Sequence, residues 1–311
     1  MVAAVAEDVV VVEVSYQDRF GIGWRPEYAV NILMNIDEID IIEIISENFV
    51  NDKNLSSSLK TLSAQIPITI HSVSLGLASS IPVNVKNLDN MARLFDVFTP
   101  DSWSEHFAFV RAGGYEIGHL AAPPRNEDTI QGTIKNICIA TDIIGTPPCL
   151  ENIATLVNPP CSIYSEAQWI NKIVSASPAV ILLDLHNLLA NSHNFGFYPK
   201  EVIAELDLNK VHQVHLSGGK YIQNPMKTDR MHLLDDHLHD VPDTCYELLT
   251  FLSEHCPNNL TVIIERDGHF PAYEQILIQL KKARRAVQKG RAKKFVEGKP
   301  MDSVNLQNRQ T

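Results

Sequence analysis

Cysteine is scarce and unpatterned in this chain: its 311 residues include five, Cys138, Cys149, Cys161, Cys245 and Cys256, with no C-x-x-C pair. An odd, widely spaced set argues against a disulfide framework or a zinc ribbon and for reduced thiols in the cytoplasm. Long apolar runs are missing as well. The N-terminal patch Val9–Val12 follows acidic Glu7 and Asp8 instead of a basic stretch, and it is too short to span a bilayer. Neither a signal peptide nor a membrane segment is therefore expected. Positive charge is in deficit, with 26 Lys and Arg against 37 Asp and Glu and a net charge of −11. That balance argues against a nucleic-acid binder, which needs a basic surface for phosphate contacts. The chain also has no Gly-rich phosphate loop, no G-x-S-x-G elbow and no H-E-x-x-H pair. Gly21-Ile22-Gly23 alone is too little to imply a nucleotide.

What is abundant is apolar sequence, 45% of residues, and histidine, of which there are 12. The two occur together. Ala179 to Leu183 is a continuous apolar run, which reads as a strand buried on both faces in a parallel sheet. Asp184, His186 and Asn187 follow at its far end. Similar runs predict strands at Phe20–Trp24, Ile39–Ile45, Ile68–Ile70, around Trp103, and at Pro148–Leu150, Val180–Leu183, Val211–Val214 and Leu260–Ile264. Helical spacing lies between them, at Ser56–Ala64, Leu88–Phe98, Asp128–Ile144, Ser165–Ser175, Pro199–Glu205, Cys245–His255 and Tyr273–Arg285. Eight strands alternating with helices predict a single (β/α)8 TIM barrel over residues 19–285. An extension, residues 1–18, precedes it, with Val9–Val14 as a candidate extra strand. A tail, residues 286–311, follows and is expected to be basic, then polar and flexible. Between Lys281 and Lys294 eight residues are Lys or Arg. A solvated helix end explains them plainly; a docking surface for an acidic peptide or partner is the sharper reading.

In a barrel the carboxyl ends of the strands converge on one mouth. His71, His106, Glu151, Asp184, His215 and Glu265 stand there, with Asp235 and His237 on the loop after the seventh strand. Each has an ordinary explanation by itself. A histidine after a strand is commonly a hydrogen-bonded core residue, Glu151-Asn152 and Asp184 can cap helices, and Glu265-Arg266-Asp267 can be a local ion-pair group. At the same end of successive strands they predict a metal site. Mixed imidazole and carboxylate donors suit iron, manganese or zinc, and eight possible ligands favour two or three ions over one. Asn152, Asn187, Lys220 and Arg266 are candidates for holding substrate, and Gly218-Gly219 for cradling an anion or making a turn. From the residues alone a divalent-metal sugar isomerase or epimerase, a metal-dependent phosphodiesterase and a non-catalytic peptide scaffold stay open.

Several segments together resemble one family. They are Gly-Ile-Gly-Trp-Arg-Pro-Glu (21–27), Ile-Ser-Glu-Asn-Phe (45–49), His-Ser-Val-Ser-Leu (71–75), Ser-Glu-His-Phe-Ala-Phe (104–109) and Gly-His-Leu-Ala-Ala-Pro-Pro-Arg (118–125). Leu-Glu-Asn-Ile-Ala (150–154), Leu-Asp-Leu-His-Asn (183–187), His-Leu-Ser-Gly-Gly (215–219) and Ile-Glu-Arg-Asp (264–267) complete the set. The resemblance is to the multinuclear non-heme iron-dependent oxidative enzymes, formerly a domain of unknown function, whose better-known members make methanobactin and a thia-glutamate peptide. It runs from about Gly21 to Ala283. It implies a TIM barrel holding two or three irons, mixed ferrous and ferric. Such an enzyme uses O2 to oxidise a residue, most often cysteine, of a ribosomally made precursor peptide, often presented by a partner protein. Carried over by position, His71, His106, Glu151, Asp184, His215, Asp235, His237 and Glu265 are the metal ligands or their immediate neighbours. One departure stands out. Many members have Asn-His-Gly-Phe where this chain has Asn194-Phe195-Gly196-Phe197, and His186 replaces the first Asn of the preceding pair. Either His186 or His193 takes over as ligand, or one iron position is weakened.

Overall fold

Ile41–Ile45 shows how the barrel is built. Alternation along this strand sends Ile42 and Ile44 outward into the apolar core beneath the helices and turns Ile41, Glu43 and Ile45 into the barrel. The computed structural model describes residues 16–50, 57–224 and 227–297. Its strands are β1 (Arg19–Gly23), β2 (Ile41–Ile45), β3 (Ile68–His71), β4 (Ser102–His106), β5 (Phe109–Ala112), β6 (Tyr115–Ala121), β7 (Cys149–Glu151), β8 (Val180–Asp184), β9 (Val211–Leu216), β10 (Gly219–Asn224), β11 (Lys227–Asp235) and β12 (Thr261–Ile264). The helices are α1 (Ala29–Met34), α2 (Ser57–Ser63), α3 (Val85–Phe98), α4 (Glu127–Ile144), α5 (Glu166–Ser175), α6 (Leu185–Phe195), α7 (Pro199–Glu205), α8 (Asp243–His255) and α9 (Tyr273–Glu297).

Eight of these strands, in the order β1-β12-β9-β8-β7-β4-β3-β2, pair in parallel and close on themselves as a TIM barrel. Those eight are the strands that hydropathy predicts. The other four form two antiparallel pairs, β5 with β6 and β10 with β11, which the sequence reading leaves as long connections. Each pair follows the carboxyl end of a barrel strand and so stands at the mouth. The turn between β5 and β6 is Gly113-Gly114, with φ of 57° and 87°, the left-handed pair that a two-residue hairpin turn requires. Helix starts follow ordinary capping rules: Asn126 and Thr129 form a capping box on α4, as Ser165 and Gln168 do on α5.

The barrel interior is more polar than its outer wall. Its lower layer holds Thr69, Ser102 and Gln213, where Gln213 Nε2 donates to Ser102 Oγ at 2.7 Å and the two hydroxyls lie 2.9 Å apart. The layer outside it is apolar, with Ile42, Ile44 and Trp103 of the strands and Leu88 and Trp169 of the helices fully buried. α9 runs as one helix past its expected end at Arg285 to Glu297, so the predicted tail begins later than residue 286. Gly290 explains the close approach of α8 and α9: a Cβ there would strike Ser253 Oγ and lie 2.9 Å from Glu254 N. The candidate strand Val9–Val14 and the end of the tail lie outside the described residues. Among those described, no helix is long and apolar enough to cross a membrane.

Candidate metal centre

Parallel register brings the strand-end residues level with one another. β4 and β7 set His106 beside Glu151, β8 and β9 set Asp184 beside His215, and β3 and β4 set His71 beside Ser104. Glu265 follows β12, its N–H donating to Leu216 O at 3.0 Å. All six sequence-predicted strand-end residues are buried and meet inside the mouth. Glu43, which the sequence reading passes over, joins them from the middle of β2.

Glu151 Oε2 lies 3.6 Å from His71 Nε2, 3.4 Å from His106 Nε2 and 3.5 Å from His215 Nδ1. Such separations are long for hydrogen bonds. They suit donors around one cation, because atoms each about 2.1 Å from a shared ion sit roughly 3.0–3.4 Å apart. His215 Nδ1 is also 3.1 Å from Glu265 Oε2, while its Nε2 lies 3.0 Å from Glu43 Oε2. Three overlapping sets of possible ligands result: Glu43–His71–His215, His71–His106–Glu151, and Glu151–Asp184–His215–Glu265. Within the last set Glu151 Oε2, Asp184 Oδ2, His215 Nδ1 and Glu265 Oε2 are all buried and lack a hydrogen-bond partner. An unsatisfied buried polar atom costs about 1–3 kcal/mol. Four of them facing one another are a poor core and a good cation cradle, so the residues present fit a metal.

Neighbours fix the orientation of these candidate ligands. Ser104 Oγ lies 2.7 Å from His71 Nδ1, which leaves Nε2 aimed at Glu151. Glu105, also unassigned by the sequence reading, accepts the N–H groups of Leu75 at 2.8 Å and His106 at 2.7 Å, and it sits 3.2 Å from His106 Nδ1. Asp184 does two jobs: Oδ1 caps α6 by accepting the Asn187 N–H at 2.6 Å, and Oδ2 stays free for the site. Asn152 exchanges hydrogen bonds with the Asp184 backbone, at 3.0 and 2.8 Å. Asn187 Nδ2 donates to Asn152 O at 3.0 Å. Partners of this kind set ligand geometry and basicity.

Asp235 and His237 form an outer group. Asp235 Oδ2 is 3.0 Å from His237 Nε2, and His237 Nδ1 is 3.5 Å from Glu265 Oε2 and 3.4 Å from Asp267 Oδ2. His237 holds this position with a left-handed φ of 53°, a conformation uncommon for non-glycine residues. Asp267 in turn pairs with Arg25. His186 is buried behind Asp235, 2.8 Å from Oδ1, and belongs to none of the three ligand sets. His193 is exposed, 3.1 Å from Met231 O and against the Tyr221 ring. Phe195 lies at the surface. Lys220 pairs with Asp236 at 3.6 Å, and Arg266 braces the next loop by donating to Gly268 O and His269 O, both at 2.8 Å. Gly219 makes neither a turn nor a cradle. A Cβ there would strike Leu234 O and come within 2.5 Å of His186 Cε1. Gly219→Ala is therefore expected to cost about 1–3 kcal/mol and to slacken Asp235; an unchanged urea midpoint for the metal-free protein would count against this packing.

Burial and mutual charge set the protonation of the cluster. Burial depresses His71, helped by the neighbouring His106 charge, to about 3. Burial opposes charge on His106 too, but Glu151 and Glu105 overcome it and raise its pKa to about 9. His215 and His237 are likewise held well above the usual histidine value against burial, with Glu265 the strongest contributor to each. Those imidazolium charges pull Glu151 and Glu265 below the carboxylate range despite burial. Asp184 moves the other way, raised by burial and by Glu151 and Asp235. In the metal-free protein the cluster thus stores several protons where cations would bind.

Above the cluster opens a cavity of ≈ 590 Å³. Its floor includes His71, His106, Glu151, His237 and Glu265; its walls come from β6, from residues 153–160 and from β11. Ile153, Leu156, Val157, Leu233 and Leu234 make these walls largely apolar.

Comparisons with known proteins identify the family and the barrel. A family described as RiPP precursor modification enzyme MbnB/TglH/ChrH matches residues 19–288. A UPF0276 protein of Streptomyces avermitilis is 32% identical over 278 residues, covering 86% of this chain and 55% of its own. One from Caulobacter vibrioides is 28% identical over 269 residues, covering 86% of this chain and 93% of its own. The chain thus spans little more than half of the first relative and nearly all of the second. Among solved structures, an L-ribulose 3-epimerase superposes with a TM-score of 0.57 at 12% identity, covering 92% of this chain and 100% of the other. The IOLI protein with a bound zinc atom gives 0.55 at 12% identity, covering 89% and 99%. Identities this low establish the shared barrel and nothing finer.

Proposed function

The chain belongs to the family of RiPP precursor modification enzymes, and from that premise we propose that it oxidises a residue, most readily cysteine, of a ribosomally made precursor peptide, using iron and O2. The observation that carries this reading is the set of four unpartnered buried donors, Glu151 Oε2, Asp184 Oδ2, His215 Nδ1 and Glu265 Oε2, two of whose residues, Glu151 and Glu265, line an open cavity. Overlap of the three ligand sets at His71, Glu151 and His215 supports two or three adjoining ions in preference to one. Imidazole and carboxylate donors without thiolate suit iron in both its ferrous and ferric states. We assign His71, His106, Glu151, Asp184, His215 and Glu265 as ligands, with Glu43 added, and Asp235 and His237 as an outer position. Neither His186 nor His193 belongs to the ligand set; His186 instead orients Asp235.

Iron held there by His71, His106, Glu151, Asp184, His215 and Glu265 would supply redox equivalents for chemistry with O2. The chain does the rest. Its apolar walls strip water from the entering side chain, and Ser104 and Glu105 hold the His71 and His106 rings in place. Asn187 Oδ1, buried and unpartnered, is available to accept an N–H from the substrate. A partner protein that presents the peptide belongs to the same proposal. A cytoplasmic location fits five unpaired cysteines.

A second reading, a divalent-metal sugar isomerase, draws on the same donors, because manganese and zinc also accept carboxylate and imidazole. The two differ in their need for O2. Precursor-like peptides encoded beside the gene, incubated with iron-loaded enzyme, should change mass and consume O2 in air and stay unchanged without it. Anaerobic turnover of a ketose, with every peptide inert in air, would transfer the assignment to the isomerase.

A further inference from the structure

The basic run that closes the described chain divides by face once α9 is in place. Lys281 pairs with Glu38 at 3.1 Å and Arg284 with Asp40 at 2.9 Å, which ties one face to the start of the barrel. Arg291 and Lys294 turn inward. Arg291 binds Asp18 at 2.8 Å and donates to Ser253 O at 3.0 Å, and Lys294 donates to Tyr16 Oη at 2.9 Å. The remaining four, Lys282, Arg285, Lys289 and Lys293, form a stripe along the outer face. Together with Lys200 of α7 they line a groove of ≈ 530 Å³ against α8. Asp243 and Glu247 are the only carboxylates among its lining residues, so cations outnumber acids five to two on a chain of net charge −11. Lys282 and Lys293 have partners, Asp243 at 3.4 Å and Glu254 at 3.1 Å. Arg285 and Lys289 are exposed and make no ion pair or hydrogen bond among the described residues.

We infer that this groove holds an acidic, extended stretch of peptide: the part of the precursor that is not itself oxidised. The inference rests on the peptide-modifying reading above. Spacing and charge support it. Arg285 and Lys289, four residues apart on a helix, stand about 6 Å apart along its axis. Carboxylates on every second residue of an extended peptide recur at about 6.6 Å. The stripe from Lys282 to Lys293 is about 16 Å long, or roughly five extended residues. On a chain of net charge −11, five cations lining one groove attract such a peptide against the overall repulsion. Asp243 and Glu247 inside the groove disfavour the uniform negative charge of a nucleic-acid backbone or an anionic bilayer. A peptide can place neutral residues opposite them.

Fluorescence anisotropy of a labelled peptide of alternating Glu and Thr, titrated with the iron-loaded protein, tests the inference. Binding should weaken as salt rises, and Arg285→Glu/Lys289→Glu should weaken it by about tenfold or more, with Arg285→Gln/Lys289→Gln in between. A peptide of alternating Lys and Thr should not bind. The proposal falls if the Glu–Thr peptide fails to bind or binds both variants as well as the parent. It falls equally if mixed-sequence duplex DNA or phosphatidylserine vesicles bind as tightly and lose binding in the same variant. Iron content of the variants, measured alongside, should equal the parent's and confirms that the fold is intact. Failure of the oxidative reading would show in turnover while groove binding persisted, and failure of the groove would show in anisotropy while iron content and turnover on a short peptide persisted.

Discussion

Glu151→Gln should lose metal at more than one position. Glu151 belongs to two of the three ligand sets, and one of its oxygens faces three imidazole nitrogens. An amide keeps the shape but not the negative charge that draws cations together. Replacing residues that merely orient ligands already costs 10- to 100-fold in affinity, so loss of the shared carboxylate should exceed about 100-fold. Elemental analysis of the purified variant checks this, with circular dichroism to show that the barrel is folded. Glu43→Gln, which alters one set only, should retain more metal than Glu151→Gln. A Glu151→Gln protein with the parent's full metal complement would remove the basis for a bridging role.

Metal uptake should release protons and stabilise the fold, both strongly. At neutral pH the metal-free cluster keeps protons on His106, whose pKa is about 9, and on His215 and His237, which stand well above the usual value. Ligation requires these nitrogens bare. Metal binding near pH 7 should therefore expel about two or more protons per chain, and apparent affinity should climb as pH rises. The sign for stability follows from the same shift. His106 is raised above the ordinary histidine value of 6.5, so its contribution to the metal-free fold is complete below that value and is lost as pH passes about 9. A loaded protein in which His106 is a ligand should lack this loss. At saturating metal the melting temperature should rise by about 5–15 °C. Calorimetry in buffers of different ionisation enthalpy counts the protons; binding that is independent of pH would show that the imidazoles are not ligands.

The strand-end rule made most of this site legible. Apolar runs mark the barrel strands, and a polar residue just past each run is visible without knowing the pairing. Glu43 escaped because it lies within its strand: Ile-Ile-Glu-Ile-Ile reads as a continuous apolar run with one flaw. The clue was in the alternation. Thr69-x-His71, Ser102-x-Ser104-x-His106 and Gln213-x-His215 repeat polar residues at a period of two, which places a polar face inside the barrel and gives Glu43 a neighbourhood. Gly113-Gly114 is a hairpin signal of the same kind, obscured because the strands it joins are largely exposed and carry no buried apolar run. The pairing of His186 with Asp235 joins residues 49 apart in sequence and depends on β10 and β11 folding over α6. No local pattern announces it. The basic run was plain in the sequence, but which cations are free emerges only once α9 docks through Gly290.

Iron content and valence, read by elemental analysis and Mössbauer spectroscopy on protein purified without oxygen from iron-supplemented cells, test the central claim most directly. Two or three irons per chain, ferrous and ferric together, are expected. A single zinc or manganese, with iron refused even on anaerobic reconstitution, would contradict it.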